Sequence, residues 1–371
     1  MSDTTASNSS IPATQLVPYM ALAAFAEQVF LAAGSTAAYA RITVRNLLLA
    51  DLRGVDSHGV ARLSGYLRLV EAGRIDLRTA GGPIHQTPST TTWDGQRGMG
   101  HVVAQKAMEH AINLADTAGT GWVAVKNSNH YGLAGTYAMM AAKRGMIGIS
   151  LTNASPLVAP TYGLDRMLGT NPIAVAIPTM TQPTFVLDMA TTTAANGKLE
   201  VLQRKGLPTP EGWIQDAEGQ ITTDASGVQQ GGALRPLGGN PAGASHKGYG
   251  LGSVVDILSG VLSGAGYGPW VPPFVSFLPL PALPVGQGLG HFLGAMRVDA
   301  FMPQSEFLSR MDHWISSMRG TKAIDWHKVM IPGDQERICH DQRMKEGIPL
   351  LPAVVEDLRK IGAQFGVSTG F

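Results

Sequence analysis

The chain has 371 residues, an apolar fraction of 44% and a formal net charge of +1. That is enough for two domains and a large core, and with no basic or acidic block nothing argues for nucleic acid or a membrane surface as a partner. The single cysteine, Cys339, excludes an internal disulfide and cysteine-rich zinc sites and fits a reducing, cytoplasmic setting, and no apolar run reaches membrane-spanning length.

Met1 to Thr14 is rich in Ser, Thr and Asn, which predicts a disordered tail rather than a signal peptide. Gln15 to Ala33 reads as a first helix closed by Gly34, and Thr36 to Leu52 as a second that starts from Ser35. A third helix is predicted after Ser57, a good N-cap type, with Leu63, Tyr66, Leu67 and Val70 at helical spacing and Gly73 as its stop. Three successive helices predict a helical domain or arm. Thr90 to Trp93 reads as a short strand, and Val102 to Ala118 as an amphipathic helix ended by Gly119.

From Trp122 the pattern changes. Trp122 to Val125, Met146 to Leu151, Ile173 to Ile177 and Phe185 to Leu187 are short apolar runs bounded by turn residues, with a helix at Ala134 to Lys143. Strand, helix, strand is the rhythm of an α/β sheet domain. Thr209 to Gly243 reads as a long surface excursion. Beyond it come a helix at Ser253 to Leu262, an edge strand at Phe292 to Val298, a helix at Gln304 to Arg319 and an amphipathic segment within Glu346 to Gly362.

The segment Asp56-Ser-His-Gly-Val-Ala-Arg62 carries chemistry. His58 and Arg62 are four apart and share one face of the predicted helix. In the first turn, the helix dipole lowers the proton affinity of His58, and an anionic ligand raises it. A His that exchanges a proton, one turn from an Arg that clamps a carboxylate, suits chemistry at a 2-oxo or 2-hydroxy acid. Gly119-Thr-Gly121-Trp-Val-Ala124 matches a loose dinucleotide pattern in the wrong context, since a helix precedes it and a strand follows.

Six motifs in order resemble the second type of malate/L-lactate dehydrogenase family. This family also includes sulfolactate and ureidoglycolate dehydrogenases, diketogulonate reductase and the piperideine- and pyrroline-2-carboxylate reductases. The motifs are Asp56-Ser-His-Gly-Val-Ala-Arg62, Asn127-Ser-Asn-His-Tyr-Gly132, Gly169-Thr-Asn-Pro-Ile173, Asp188-Met-Ala-Thr191 with Gly197-Lys198, His246-Lys-Gly-Tyr-Gly250, and Ile331-Pro-Gly-Asp334 with Gly347-Ile-Pro349. The resemblance implies an α/β fold with a non-Rossmann, nicotinamide-binding mixed sheet at residues 81–303. It also implies a helical domain built from both chain ends, 15–80 with 304–371, and a homodimer.

The resemblance also implies site roles. His58 would protonate the carbonyl oxygen or imine with Ser57 as its neighbour, although relatives differ on whether His58 or His130 is the proton carrier. Arg62 would bind the substrate carboxylate, beside Thr170 and Asn171. Asp188, Met189, Ala190 and Thr191 would meet the nicotinamide half of the cofactor, with Asp188 also able to orient a catalytic His. His246 and Lys247 would meet the pyrophosphate, and the loop Gly333, Asp334, Gln335 the adenosine end. A carboxylate at Asp334 on the ribose would favour NAD over NADP. Many relatives carry a hydroxyl residue where Ala154 stands, so that contact is lost or passes to Ser155. No metal is implied. The implied activity is a hydride exchange at C2 of a small 2-hydroxy or 2-oxo acid. Reduction of a cyclic imine carboxylate is the alternative. A metal hydrolase using His58, His130 and Asp188, whose spacing fits no zinc motif, and a non-catalytic binding protein are more remote.

Overall fold

The computed structural model describes residues 14–371, so the predicted tail lies outside the described residues except for Thr14. The order of elements is β1 (Gln15–Val17), α1 (Tyr19–Ala32), α2 (Ala37–Leu52), α3 (Leu63–Glu71), β2 (Gly82–Gln86), β3 (Thr90–Asp94), α4 (Gly100–Ala118), β4 (Thr120–Ser128), α5 (Gly135–Ala142) and β5 (Met146–Thr152). Then follow β6 (Ile173–Ile177), β7 (Phe185–Met189), α6 (Asn196–Lys205), β8 (Ile214–Gln215), β9 (Ile221–Thr222), β10 (Ala233–Leu234), α7 (Ser245–Asp256), β11 (Leu289–Arg297), α8 (Gln304–Arg319), α9 (Asp334–Glu346), β12 (Ile348–Leu350) and α10 (Pro352–Phe365).

The fold is mixed α/β. Its main sheet has seven strands in the order β2-β3-β4-β11-β5-β6-β7, and only β3 and β4 run parallel. Helices α4 and α5 cover one face, and their alanines pack on Val123, Val125, Leu293 and Ala295. A second core joins both ends of the described chain: Leu22, Phe25, Leu47, Leu63 and Tyr66 pack with Ile348, Val355 and Leu358. There β1 pairs antiparallel with β12, Val17 opposite Ile348. A third, smaller core lies around Leu157, Leu199, Ile214 and Leu234. Among the described residues no helix is long and apolar enough to cross a membrane.

Several elements differ from expectation. The first helix begins at Tyr19, because Gln15–Val17 is drawn into a strand by β12 and Pro18 separates the two. The second is capped by Thr36, whose hydroxyl accepts from Tyr39 N at 3.2 Å, not by Ser35. The third begins only at Leu63. Before it, Asp56–His58 and Val60–Arg62 form two separate 3₁₀ turns, so Ser57 is not a helix N-cap and His58 is not in a helix's first turn. The reason is Asp51: its buried carboxylate accepts from Val60 N at 2.9 Å and fills the space beside Gly59.

The predicted edge strand is the central strand β11, flanked by β4 and β5. Its glycines weaken the strand signal, yet packing needs them. A Cβ on Gly290 would lie 1.7 Å from the Ser259 carbonyl, and one on Gly294 would lie 2.3 Å from the Trp122 ring. The surface excursion folds into the small sheet β10-β8-β9. Helix α7 starts at Ser245, well before the expected Ser253. Gly248 belongs to the helix because a Cβ there would meet the Leu237 backbone at 2.4 Å.

Candidate active site

The two 3₁₀ turns carry Ser57, His58 and Arg62. Ser57 Oγ lies 2.9 Å from His58 Nδ1. The turn is held by Asp51 from within and by Arg343 of α9, which donates to the Asp51 carbonyl and to Asp56. Burial, with Arg62 close by, lowers the His58 pKa to about 4.

The loop after β4 supplies His130, and the structure brings it against His58. The two imidazoles stack with centroids 5.6 Å apart. His130 Nδ1 lies 2.6 Å from Tyr66 Oη, and its ring packs on Phe274 at 4.7 Å. Burial and the neighbouring imidazoles hold its pKa well below the usual value. Neither His58 Nε2 nor His130 Nε2 has a hydrogen-bond partner among the described residues. Asn129, next to His130, does the structural work of the loop: its amide donates to the Arg97 and Gly98 carbonyls.

Sequence reasoning took Tyr66 as a core residue of a helix and missed its hydroxyl. The signal was available, because a buried tyrosine oxygen needs a partner. Phe274 was also missed. Its N–H donates to Ser155 Oγ at 2.8 Å, and Gly65 leaves room for its ring. Ser155 therefore holds Phe274 against His130 and has little hydroxyl surface left for a ligand. Behind Tyr66 lies His101, fully buried, with neither ring nitrogen hydrogen-bonded. Burial lowers its pKa to about 3.

Arg62 lies close to both histidines. Its Nε donates to the Ser57 carbonyl at 2.6 Å, and its Nη atoms pair with Glu200 of α6. Gly197 lets α6 approach this turn; a Cβ there would lie 2.4 Å from Ser57 Cβ and 2.6 Å from Arg62 Nη2. No pattern predicted α6, so Glu200 was missed with it.

The remaining candidates fall into separate places. Asp188, near the end of β7, accepts from Gly135 N at 2.7 Å, and burial raises its pKa to about 6. It makes no hydrogen bond to either histidine, and among the described residues His58, His130 and Asp188 do not form a metal-ligating group. Its neighbours Met189 and Ala190 are half-buried. Thr191 Oγ1 donates to the carbonyls of Thr170 and Asn171, and Asn171 Nδ2 donates to the Gly252 carbonyl in α7. Asn171 has no exposed surface to offer a ligand. His246 and Lys247 are exposed in the first turn of α7, which has no side-chain cap. Gly333 and Gln335 flank Asp334, whose carboxylate binds Arg319 at 2.8 Å, Arg337 at 3.5 Å and Ile331 N at 3.0 Å. With those partners the Asp334 carboxylate is engaged within the protein, and it gives no reason to favour NAD over NADP.

The sequence from residue 17 to 359 matches the family described as malate/L-lactate dehydrogenase. The chain is 44% identical over 353 residues to malate dehydrogenase of Pyrococcus abyssi, covering 95% of each. It is 37% identical over 338 residues to malate/(S)-sulfolactate dehydrogenase of Methanothermus fervidus, covering 91% of this chain and 94% of that one. The solved malate dehydrogenase of Pyrococcus horikoshii matches with a TM-score of 0.87 at 39% identity, covering 96% of this chain and 97% of that one.

Proposed function

Because the chain belongs to the malate/L-lactate dehydrogenase family and is an oxidoreductase acting on 2-hydroxy acids, we propose that its site binds a small malate-like carboxylate by Arg62 and exchanges the proton at its C2 oxygen through His130. A nicotinamide cofactor, when bound, supplies the hydride. The observation that carries this reading is the stacked His58–His130 pair beside Arg62, with Tyr66 fixing His130 from behind.

His58 rides on a 3₁₀ turn and does not stand at the start of an α-helix. His130 has what a general base needs, a second group that orients it. The Tyr66 hydroxyl can accept from Nδ1–H, leaving Nε2 to take the alcohol proton in oxidation. The same oxygen then stabilises the imidazolium. His58 is neutral at pH 7 by its lowered pKa and shares the pocket, with Ser57 at its Nδ1. Repulsion between the two rings leaves room for one proton at a time.

The residues present fit a dinucleotide. The first turn of α7 has no side-chain cap, and Lys247 and His246 are exposed there, with the positive end of the helix beside them, a setting that suits a pyrophosphate. Asp188, Met189, Ala190 and Thr191 line the end of β7. The binding mode we propose is non-Rossmann, supported by a sheet with one parallel pair. Gly121 also supports it: it packs α4 on β4, where a Cβ would lie 2.0 Å from the Ala111 carbonyl. We read the sheet layer as the cofactor-binding part and the helical layer as the part that completes the pocket. We also read the protein as a cytoplasmic homodimer. Support comes from exposed Leu251, Val254, Ile257 and Val261 along α7 and its continuation.

The test is a substrate panel of 2-oxo acids and cyclic imine carboxylates, each with NADH and NADPH. Oxaloacetate or a close 2-oxo acid should give the highest kcat/KM. Turnover of cyclic imines alone would move the activity to C=N reduction, and no turnover at all would remove the catalytic reading.

A further inference from the structure

Arg62 already holds a carboxylate, and it belongs to the chain itself. Nη1 donates to Glu200 Oε1 at 3.1 Å and Nη2 lies 2.9 Å from Oε2. Asn196 Nδ2 donates to Oε1 at 2.8 Å. The two side chains are 16% and 23% exposed, so water screens the pair only partly.

A guanidinium offers two forks to a carboxylate, an end fork of Nη1 with Nη2 and a side fork of Nε with one Nη. Glu200 takes the end fork. The side fork is broken because Nε is spent on the Ser57 carbonyl. While Glu200 stays, an incoming substrate carboxylate has no two-point contact with Arg62. The helix that carries Glu200 is lightly anchored: α6 buries only Gly197 and Leu199, and it ends at Gly206 with φ +64°. Such an element opens at low cost.

We propose that Glu200 is a substrate-mimicking latch that occupies the Arg62 subsite in the empty enzyme and is displaced by the substrate carboxylate, so that it sets KM. The proposal rests on Arg62 being the substrate anchor. A permanent partner that merely orients Arg62 would behave in the opposite way when its charge is removed.

The experiment uses the full enzyme with L-malate and the preferred nicotinamide. Glu200→Gln should lower KM for malate roughly tenfold, the scale of one charge-assisted hydrogen bond no longer surrendered on binding, with kcat within about twofold. Glu200→Asp, which keeps the charge on a shorter arm, should fall between. In parallel, malate without nicotinamide should speed hydrogen exchange at the α6 amides of the unmutated enzyme, a readout that survives if Glu200→Gln folds poorly. An unchanged or raised KM in Glu200→Gln, or no faster exchange in α6, overturns the latch. Arg62→Ala separates the two levels: an unchanged KM there rejects Arg62 as the anchor, whereas a raised KM beside an unchanged Glu200→Gln rejects the latch alone.

Discussion

Tyr66 Oη lies 2.6 Å from His130 Nδ1, and the same phenol ring meets the edge of His101 at 5.0 Å. One side chain thus couples the pocket to the buried layer behind it. Tyr66→Phe keeps the ring and deletes only the oxygen. It should cost about 1 kcal/mol of stability and lower kcat for oxidation roughly tenfold to a hundredfold, because the imidazolium loses its acceptor. His130→Ala should lose on the order of 10²–10⁴-fold in turnover while keeping cofactor affinity. If His58→Ala is the dead variant and His130→Ala is near normal, the proton belongs to His58.

Acid should unfold the protein from the histidines first. Burial lowers His58 to about 4 and His101 and His291 to about 3, and moves His130 the same way. A His with a folded pKa below its unfolded value is neutral folded and charged unfolded between the two, so stability is full above about 6.5 and falls as pH drops. Asp188 and Asp256, raised to about 6 chiefly by burial, and Asp51, raised well above the usual carboxylate range by burial, push the other way as each takes up its proton in the fold, three carboxyls against four imidazoles. Urea unfolding from about pH 7.5 to about pH 5 should therefore show stability declining as the pH passes below about 6.5. His101→Leu should flatten that decline by at most ~1.4 kcal/mol per pH unit. An unaltered slope in that variant would mean His101 does not titrate on unfolding.

The turn that carries Ser57 and His58 tolerates no side chain at Gly59. A Cβ there would lie 1.8 Å from Asp51 Oδ1. Gly59→Ala should cost about 1–3 kcal/mol by overpacking and should lower activity with it, as read by thermal unfolding and kcat/KM. Full stability would show that Asp51 can swing away, and the turn's rigidity would then have another source.

Lys247→Ala should weaken NADH and NADPH binding about tenfold, the loss of one charge-assisted contact at an exposed site. Titration by fluorescence quenching measures it. Asp334→Asn should instead lower stability, because Arg319 and Arg337 lose their common partner. It should leave the NADH to NADPH preference where it was. A changed preference would return Asp334 to the ribose.

Where the local sequence pattern and the packing agreed, the sequence was readable. Ile173–Ile177 is a short β-branched run between turn residues and Gln304–Arg319 an amphipathic run, and both occur with their predicted bounds. Long-range demands hid the rest. Gly290 falls outside the strand expected at Phe292 to Val298, yet it and Gly294 permit the tightest contacts of β11. The charged stretch of α9 buries only Asp334, so it has no apolar period to detect. The site followed the same rule. The types and order of Ser57, His58, Arg62 and His130 were legible. The 3₁₀ geometry was not, because Asp51 imposes it from six residues upstream of Ser57. Glu200 was invisible because its partner Arg62 is 138 residues away.

The pairing of β1 with β12 also fixes an order of assembly during synthesis. Val17 leaves the ribosome 331 residues before its partner Ile348. At roughly 5–20 residues per second that is a wait of about 17–66 s. Every strand of the seven-stranded sheet lies between Gly82 and Arg297, so the sheet can close within that interval. The first helices, with His58 and Arg62 beyond them, stay without the Ile348, Val355 and Leu358 side chains that complete their core. The nascent chain should thus become protease-resistant in its middle before its beginning, and the pocket should be the last part of the enzyme to exist.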